Sequence, residues 1–415
     1  MEELTSVSVS AWVAVSAWVA VSAWVAVSAW VAVLTVFCSI AIEVVKIQVG
    51  SFAMSSNIMK SSGKTALRPE EYTIACICPL AIESAPLEAL LDRTHLQTFW
   101  TGYNSYTLGE IGPHNVVVAT MPETGNYKVA SVAANLMNDF KSIEFGLLIG
   151  IGGGLPSEDD DIRLGDIVIG LPENDDCAVV QFDRGKSYPG DQFERTGFLN
   201  NPPRVLLRAV HQLRVRHGHG SSAISMILEQ MIKKFPLMMD NGYTYPGRAR
   251  DVLFRPDYAH EPGPTCARCD ESYIVKRDSR PDHHPRIHYG IIGSSNMVIK
   301  DGMLREELKR QLRLQCVDME AAGVADLQFL TIRGISDYAD SHKNKEWQPY
   351  AAAVAAAYAR DLLSMLPPVP QQNESVSQAR SHLAGHGGKE IPKIEMKAEK
   401  IFHQSTFSSS GPMYF

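Results

Sequence analysis

The chain has 415 residues, of which 20% are charged and 45% apolar, and a formal net charge of -7. That is enough for one large globular unit with appendages. The charge balance excludes a basic nucleic-acid surface, so no nucleic-acid partner is expected.

Residues 10–33 repeat SAWVAV four times, placing Trp12, Trp18, Trp24 and Trp30 six apart. Six residues turn a helix through about 600°, so the tryptophans fall on different faces and the segment is apolar all round. Leu4 to Ile42 carries no charge, and a bilayer needs about 20 apolar residues. If residues 4–42 span a membrane, Lys46, Lys60 and Lys64 after the span keep the remaining chain cytoplasmic and membrane-tethered. The other reading of residues 1–42 is a tandem expansion without selected function, and the residues leave both open. A secretory signal lacks its positive n-region here. Residues 43–71 read as a linker, with Ser55-Ser56, Ser61-Ser62-Gly63 and Arg68-Pro69.

Tyr72 to Cys78 reads as a short buried strand stopped by Pro79, followed by a helix with Leu87, Leu90 and Leu91 on one face. Glu83 sits at that strand-to-helix turn, where the carboxyl ends of strands in α/β folds open onto ligand crevices. Residues 115–121 are a strand, and residues 128–140 a helix through Val129, Val132, Ala133, Leu136 and Phe140. The strand at 145–151 runs into Gly152, Gly153 and Gly154, and 166–170 is another strand. From about 172 to 285 the pattern turns irregular and Pro/Gly-rich, as in a large insertion carrying "VVQFDRGK". Strand-like "IHYGIIGSS" (287–295) resumes the core. "VDMEAAGVADL", the strand "FLTIRGISD" and an Ala-rich helix over 350–366 complete it. Residues 367–415 have the composition of a disordered tail. Strands alternating with helices over 72–366 predict an α/β domain with its sheet covered on both faces.

Seven cysteines scattered through apolar segments do not suit a disulfide framework, and a reducing compartment is expected. Cys266 and Cys269 form a C-x-x-C with His283 and His284 following. No second C-x-x-C or H-x₃₋₅-H completes a zinc set, so no metal is assigned and the two read as reduced structural cysteines in an insertion, with a zinc site as the weaker alternative.

Three segments place a carboxylate at the end of an apolar element: Glu83, Glu320 in "CVDMEAAGVA" and Asp337 in "IRGISDYAD". Each alone reads as a solvated or capping group. Three of them, beside a triple-glycine run at another strand end, point to a ligand site.

Together "GIGGGLP", "DIRLGDIVIG", "VDMEAAGVA" and "RGISDYADSHKNK" resemble the purine nucleoside phosphorylase/uridine phosphorylase superfamily. Within it they look like the methylthioadenosine/S-adenosylhomocysteine nucleosidase-like branch, in the form carried by many fungal proteins. The resemblance covers about residues 72–366 and implies a three-layer αβα sandwich with a central mixed sheet. It also implies cleavage of the N-glycosidic bond of a purine nucleoside or nucleotide, no cofactor (phosphate being a co-substrate in the phosphorylases), and a homo-oligomer. Asp337 matches the acid that protonates the departing purine at N7, and Glu83 the general base that orients water. Glu320 matches the group that binds ribose hydroxyls, while Met319 packs on the sugar. Gly150, Gly152 and Gly153 match a glycine-rich turn that lets the sugar or an anion lie on bare backbone. Val298 and Ile299 match the wall beside the base.

In the superfamily's phosphorylases an arginine precedes the glycine turn, whereas Leu147, Leu148 and Ile149 stand here. This departure and Glu83 favour water as nucleophile, with phosphorolysis as the alternative. Lys128, Arg163, Lys186 and Arg333 are cations that folding could bring to an anion, including the phosphates of a nucleotide such as ATP. Otherwise each is a solvated surface charge. A nucleotide-sensing or interaction module is the remaining alternative, against which the three carboxylates speak. A dinucleotide-binding fold is excluded, because Leu155, Pro156 and the acidic run Glu158 to Asp161 follow the glycines where a helix should open.

Overall fold

A computed structural model describes residues 65–99, 102–190, 192–263 and 265–368. The SAWVAV repeat with the candidate span at 4–42, the linker up to residue 64 and the tail from 369 lie outside the described residues. Among the described residues no helix is long and apolar enough to cross a membrane.

Strand β1 (Ile74–Cys78) leads through Pro79 and Leu80 into helix α1 (Ala81–Ala89). Strands β2 (Tyr106–Ile111) and β3 (His114–Thr120), helix α2 (Asn126–Asp139) and strands β4 (Phe145–Gly154), β5 (Ile167–Gly170) and β6 (Val179–Gln181) follow. Next come helices α3 (Arg204–Gly218) and α4 (Ile224–Lys234), strands β7 (Ile287–Gly290) and β8 (Ile292–Ser294), and helix α5 (Gly302–Leu312). Strand β9 (Cys316–Asp318), the short helix α6 (Ala321–Val324), strand β10 (Phe329–Asp337) and helix α7 (Gln348–Leu363) complete the order.

The main sheet runs β7-β5-β10-β4-β1-β3-β2, with the two-residue strand Arg93–Thr94 beyond β2. The sheet is mixed: β1 pairs parallel with β3 and β4, β10 parallel with β4, and β5 antiparallel with β10. A branch joins it where β9 runs antiparallel to the last glycines of β4 and parallel to β8, which pairs with β6.

Strand residues face two separate cores, as the period of two demands. Ile74, Cys76 and Cys78 pack with α1, α3, α4 and α7 on one face. Ala75 and Ile77 pack with α2 and α6 on the other. The result is the three-layer α/β sandwich. Its central strands show no hydrophobic alternation because neither face meets water.

Three expectations change. The segment 172–285 is not simply irregular: α3 and α4 bury Leu206, Ala209, Val210, Leu213, Ile224, Ile227 and Met231 against α7 and so extend the helical layer. The stretch 287–295 is two strands with different partners, β7 on β5 and β8 on β6 and β9. The glycines after 151 form no turn; they extend β4 to Gly154, still paired with β10 and β9.

Helix α7 is alanine-rich because it lies almost on the sheet. A Cβ at Gly334 in β10 would overlap the backbone carbonyl of Ala351. Overpacking of this kind costs typically 1–3 kcal/mol, more where backbone must yield. Gly334→Ala is therefore expected to lower unfolding free energy by at least about 2 kcal/mol in urea titrations.

Candidate active site

The site forms where β1, β4, β9 and β10 end. Its centre is Arg333, on β10 and fully buried. The Arg333 Nε donates to Asp318 Oδ2 at 2.9 Å, and Nη2 lies 2.7 Å from the same oxygen and 3.2 Å from Glu320 Oε2. Burial works against a charged guanidinium, but Asp318, Glu320 and Glu83 outweigh it and push the Arg333 pKa up. Arg333 Nη1 has no hydrogen-bond partner, although it is buried. A Cβ on Gly150 would collide with that nitrogen and come within 2.5 Å of Glu83 Oε1. Gly150 is thus glycine to make room for a buried charge cluster, which replaces the expected contact with a ligand.

Glu83 enters from the first turn of α1. The Leu80 N–H donates to Oε2 at 2.6 Å and the Ile151 N–H to Oε1 at 2.8 Å, which ties α1 to β4. Burial pushes the Glu83 carboxyl up to about 8, against the opposing pull of Arg333 and these two N–H groups. Glu320 lies at the start of α6, and the Gly125 N–H donates to its Oε1 at 3.2 Å. Its pKa is also raised, by burial first and by Asp318, with Arg333 opposing.

Asp337 is the last residue of β10. The pairing register with β4 shifts between Ile335 and Asp337, leaving Ser336 as the extra residue of a bulge, a device that re-aims side chains at strand ends. Asp337 Oδ2 accepts from the Ser336 hydroxyl at 2.8 Å, and Oδ1 accepts from the Ala339 N–H at 3.0 Å. Ala339 takes a left-handed φ of 53°, which costs about 1–2 kcal/mol for a residue with a Cβ. The Lys343 ammonium lies 2.8 Å from Asp337 Oδ2.

Glu83, Gly152, Gly153, Val298, Ile299, Met319 and Glu320 line one cavity of about 220 Å³. Gly150 is not among its lining residues. Asp337 faces a neighbouring cavity of about 640 Å³, and Ser336 and Lys343 line both. Val298 is about half exposed while Ile299 is buried. Their loop is held by Asn296, whose N–H donates to Asp183 Oδ2 at 2.8 Å, so the motif "VVQFDRGK" braces the wall from the insertion.

Of the four candidate cations, only Arg333 reaches this centre, and it is no surface charge. Lys128 pairs with Glu123 at 2.6 Å and Lys186 with Glu194 at 3.8 Å, both exposed, and Arg163 with Asp161 at 2.9 Å. Asp318 and Lys343 were missed by sequence reasoning. Asp318 stood within the quoted "VDME" two positions before Glu320, where a buried carboxylate needs a countercharge, and Lys343 stood within "SHKNK".

The phosphorylase superfamily model matches residues 73–364. The chain belongs to this superfamily. A nucleotide-binding leucine-rich repeat (NLR)-like protein of Hyaloscypha variabilis is 39% identical over 320 residues, 76% of this chain. The chain spans 31% of that protein's length. A 5'-methylthioadenosine/S-adenosylhomocysteine nucleosidase of Mycobacterium bovis is 26% identical over 71% of this chain and 97% of its own. Among solved structures, a Helicobacter pylori nucleosidase of the same name aligns with a TM-score of 0.46 and 15% identity, covering 71% of this chain and 99% of its own.

For this superfamily member, Arg333→Met should leave Asp318 and Glu320 buried without their countercharge. Breaking a buried pair from one side costs about 3–5 kcal/mol. Urea denaturation is expected to show a loss of that order. A loss under about 1 kcal/mol, the scale of an exposed pair, would contradict the assignment of Arg333 as the hub.

Proposed function

We propose that this domain hydrolyses the N-glycosidic bond of a purine nucleoside or nucleotide and releases the free base. The observation that carries the reading is Glu83, a buried carboxyl raised to about 8 and fixed by two backbone N–H groups at the wall of a cavity it shares with Met319 and Glu320. A base with a pKa near the working pH combines a useful ionised fraction with real proton affinity. Glu83, Asp318 and Glu320 put three carboxyl groups on that wall, where they offer hydrogen-bond acceptors to a water. The nucleosidase relative supports the same class of reaction.

In this mechanism Glu83 takes a proton from water as the oxygen bonds to C1′ and the C1′–N9 bond breaks. Glu320 accepts hydrogen bonds from ribose hydroxyls, and Met319 packs on the sugar. The departing base gathers negative charge and is protonated at N7 through Asp337, whose carboxylate takes that proton from the Lys343 ammonium 2.8 Å from its Oδ2, leaving a neutral amine that regains a proton from solvent. The chain's own side chains suffice for these steps, without a cofactor.

Free-base release from adenosine, inosine, methylthioadenosine and ATP, each with and without phosphate, tests the reading. Release is expected without phosphate and is expected to fall about 10²–10⁴-fold in Asp337→Asn, the usual contribution of general acid catalysis. Glu83 acts only when ionised, so kcat/KM should rise with pH up to about 8 and Glu83→Gln should abolish that limb. Release that requires phosphate would make the domain a phosphorylase, and no release from any substrate would favour a nucleotide sensor.

A further inference from the structure

A second cluster of chemistry lies in the insertion. One ligand atom from each of His260, Cys266 and Cys269 lies within 4.8 Å of the others. Cys269 is buried and the other two are half-buried. The local chain explains the convergence. Cys266–Arg268 is a single 3₁₀ turn, closed by the Cys269 N–H donating to the Cys266 carbonyl at 3.0 Å, so both thiols emerge on one side. Both cysteines are free thiols. The His260 N–H donates to Ser341 Oγ at 2.9 Å, which docks this loop against the segment after β10.

That segment supplies the second observation. His342 is 8% exposed, and neither of its ring nitrogens has a hydrogen-bond partner. Asp340 Oδ1, at 3.7 Å from Nδ1, is beyond hydrogen-bond reach. A buried imidazole left unpaired on both sides is costly and demands an explanation. Its ring stacks on Phe254 at 4.0 Å and meets His260 edge-on at 5.4 Å, and it lines the same cavity as Cys266.

We propose that His260, Cys266 and Cys269 hold one zinc ion, with the neighbouring His342 ring, which lies outside that 4.8 Å group, turning to complete a Cys₂His₂ set. The donor set is the one that tetrahedral structural zinc takes, and the C-x-x-C turn is its usual half. The other half is split between a histidine six residues upstream and one from a distant loop, which is why no H-x₃₋₅-H marks it in the sequence. His283 and His284 do not contribute: His283 packs on Tyr245 at 5.4 Å, and His284 Nδ1 lies 2.9 Å from Ser225 Oγ.

The ion would clasp the insertion to the loop that bears Asp337 and Lys343. Thr265, Cys266 and Ala267 form one wall of the cavity that Asp337 and Lys343 face. Zinc therefore shapes that wall and takes no part in proton transfer or water activation. The proposal stands whether or not the domain is a hydrolase.

Elemental analysis of the full chain, purified without metal-affinity resin, tests it. About one zinc per chain is expected, falling to near zero in the Cys266→Ser/Cys269→Ser variant. His342→Ala should weaken zinc about tenfold or more against a chromophoric chelator, since even outer-shell partners are worth 10–100-fold in affinity. Should the double variant fail to fold, cobalt exchanged into the native chain should give the intense visible bands of a tetrahedral thiolate site. Metal-free protein that neither binds zinc nor gives a cobalt spectrum would overturn the proposal, as would a Cys266–Cys269 disulfide under non-reducing conditions. Unchanged affinity in His342→Ala would remove His342 from the ligand set.

Discussion

The constraint on which the rest of the site depends is a single buried guanidinium among three carboxyl groups. Arg333 is fully enclosed, and Asp318 and Glu320 contact it while Glu83 acts on it through space. One positive charge cannot neutralise three negative ones at a buried strand end, so part of the negative charge is removed by protonation. That is why Glu83 and Glu320 hold their protons above the ordinary range. The sign follows for stability as well. A carboxyl whose pKa rises on folding stabilises the fold below its ordinary value, and for Glu83 that share is lost as pH rises through about 8.

Much of the surrounding backbone answers to this cluster. Gly150 lacks a side chain because Arg333 Nη1 and Glu83 Oε1 fill the space, and β4 stays extended to Gly154 so that β9 can bring Asp318 alongside. The bulge at Ser336 and the left-handed Ala339 then turn Asp337 away from the Arg333 cluster and toward Lys343. Two carboxylates on neighbouring elements thus acquire different partners. Glu83 is held by two backbone N–H groups beside Arg333, whereas Asp337 is held by Ser336, Ala339 and the Lys343 ammonium, so the two groups have separate proton partners.

The fold was largely legible in the chain because its central strands are short, wholly apolar runs separated by helical spacing. What escaped were elements whose signal was diluted. The buried stripe Leu206, Ala209, Val210 and Leu213 is interleaved with arginines and histidines in "RVLLRAVHQLRVRHG". In "YGIIGSS" the apolar Ile291 joins β7 to β8 without a polar or turn-forming residue, so nothing in the run marks the change of strand partner. The carboxyl groups at strand ends were visible as a pattern. Their electrostatics were not, since Arg333 reads in sequence like any other arginine and only the pairing of β10 with β4 buries it beside Gly150. Likewise the C-x-x-C was visible, but its histidines are set by how two loops dock.

The most direct test of this account is the proton affinity of Glu83, read by NMR of protein carrying ¹³C-labelled glutamate carboxyl groups. The account predicts a resonance, assigned by its loss in Glu83→Gln, that titrates near pH 8. A Glu83 resonance that titrates instead near the ordinary glutamate value of about 4.3 would contradict it, and the charge cluster would then not be what tunes this carboxyl.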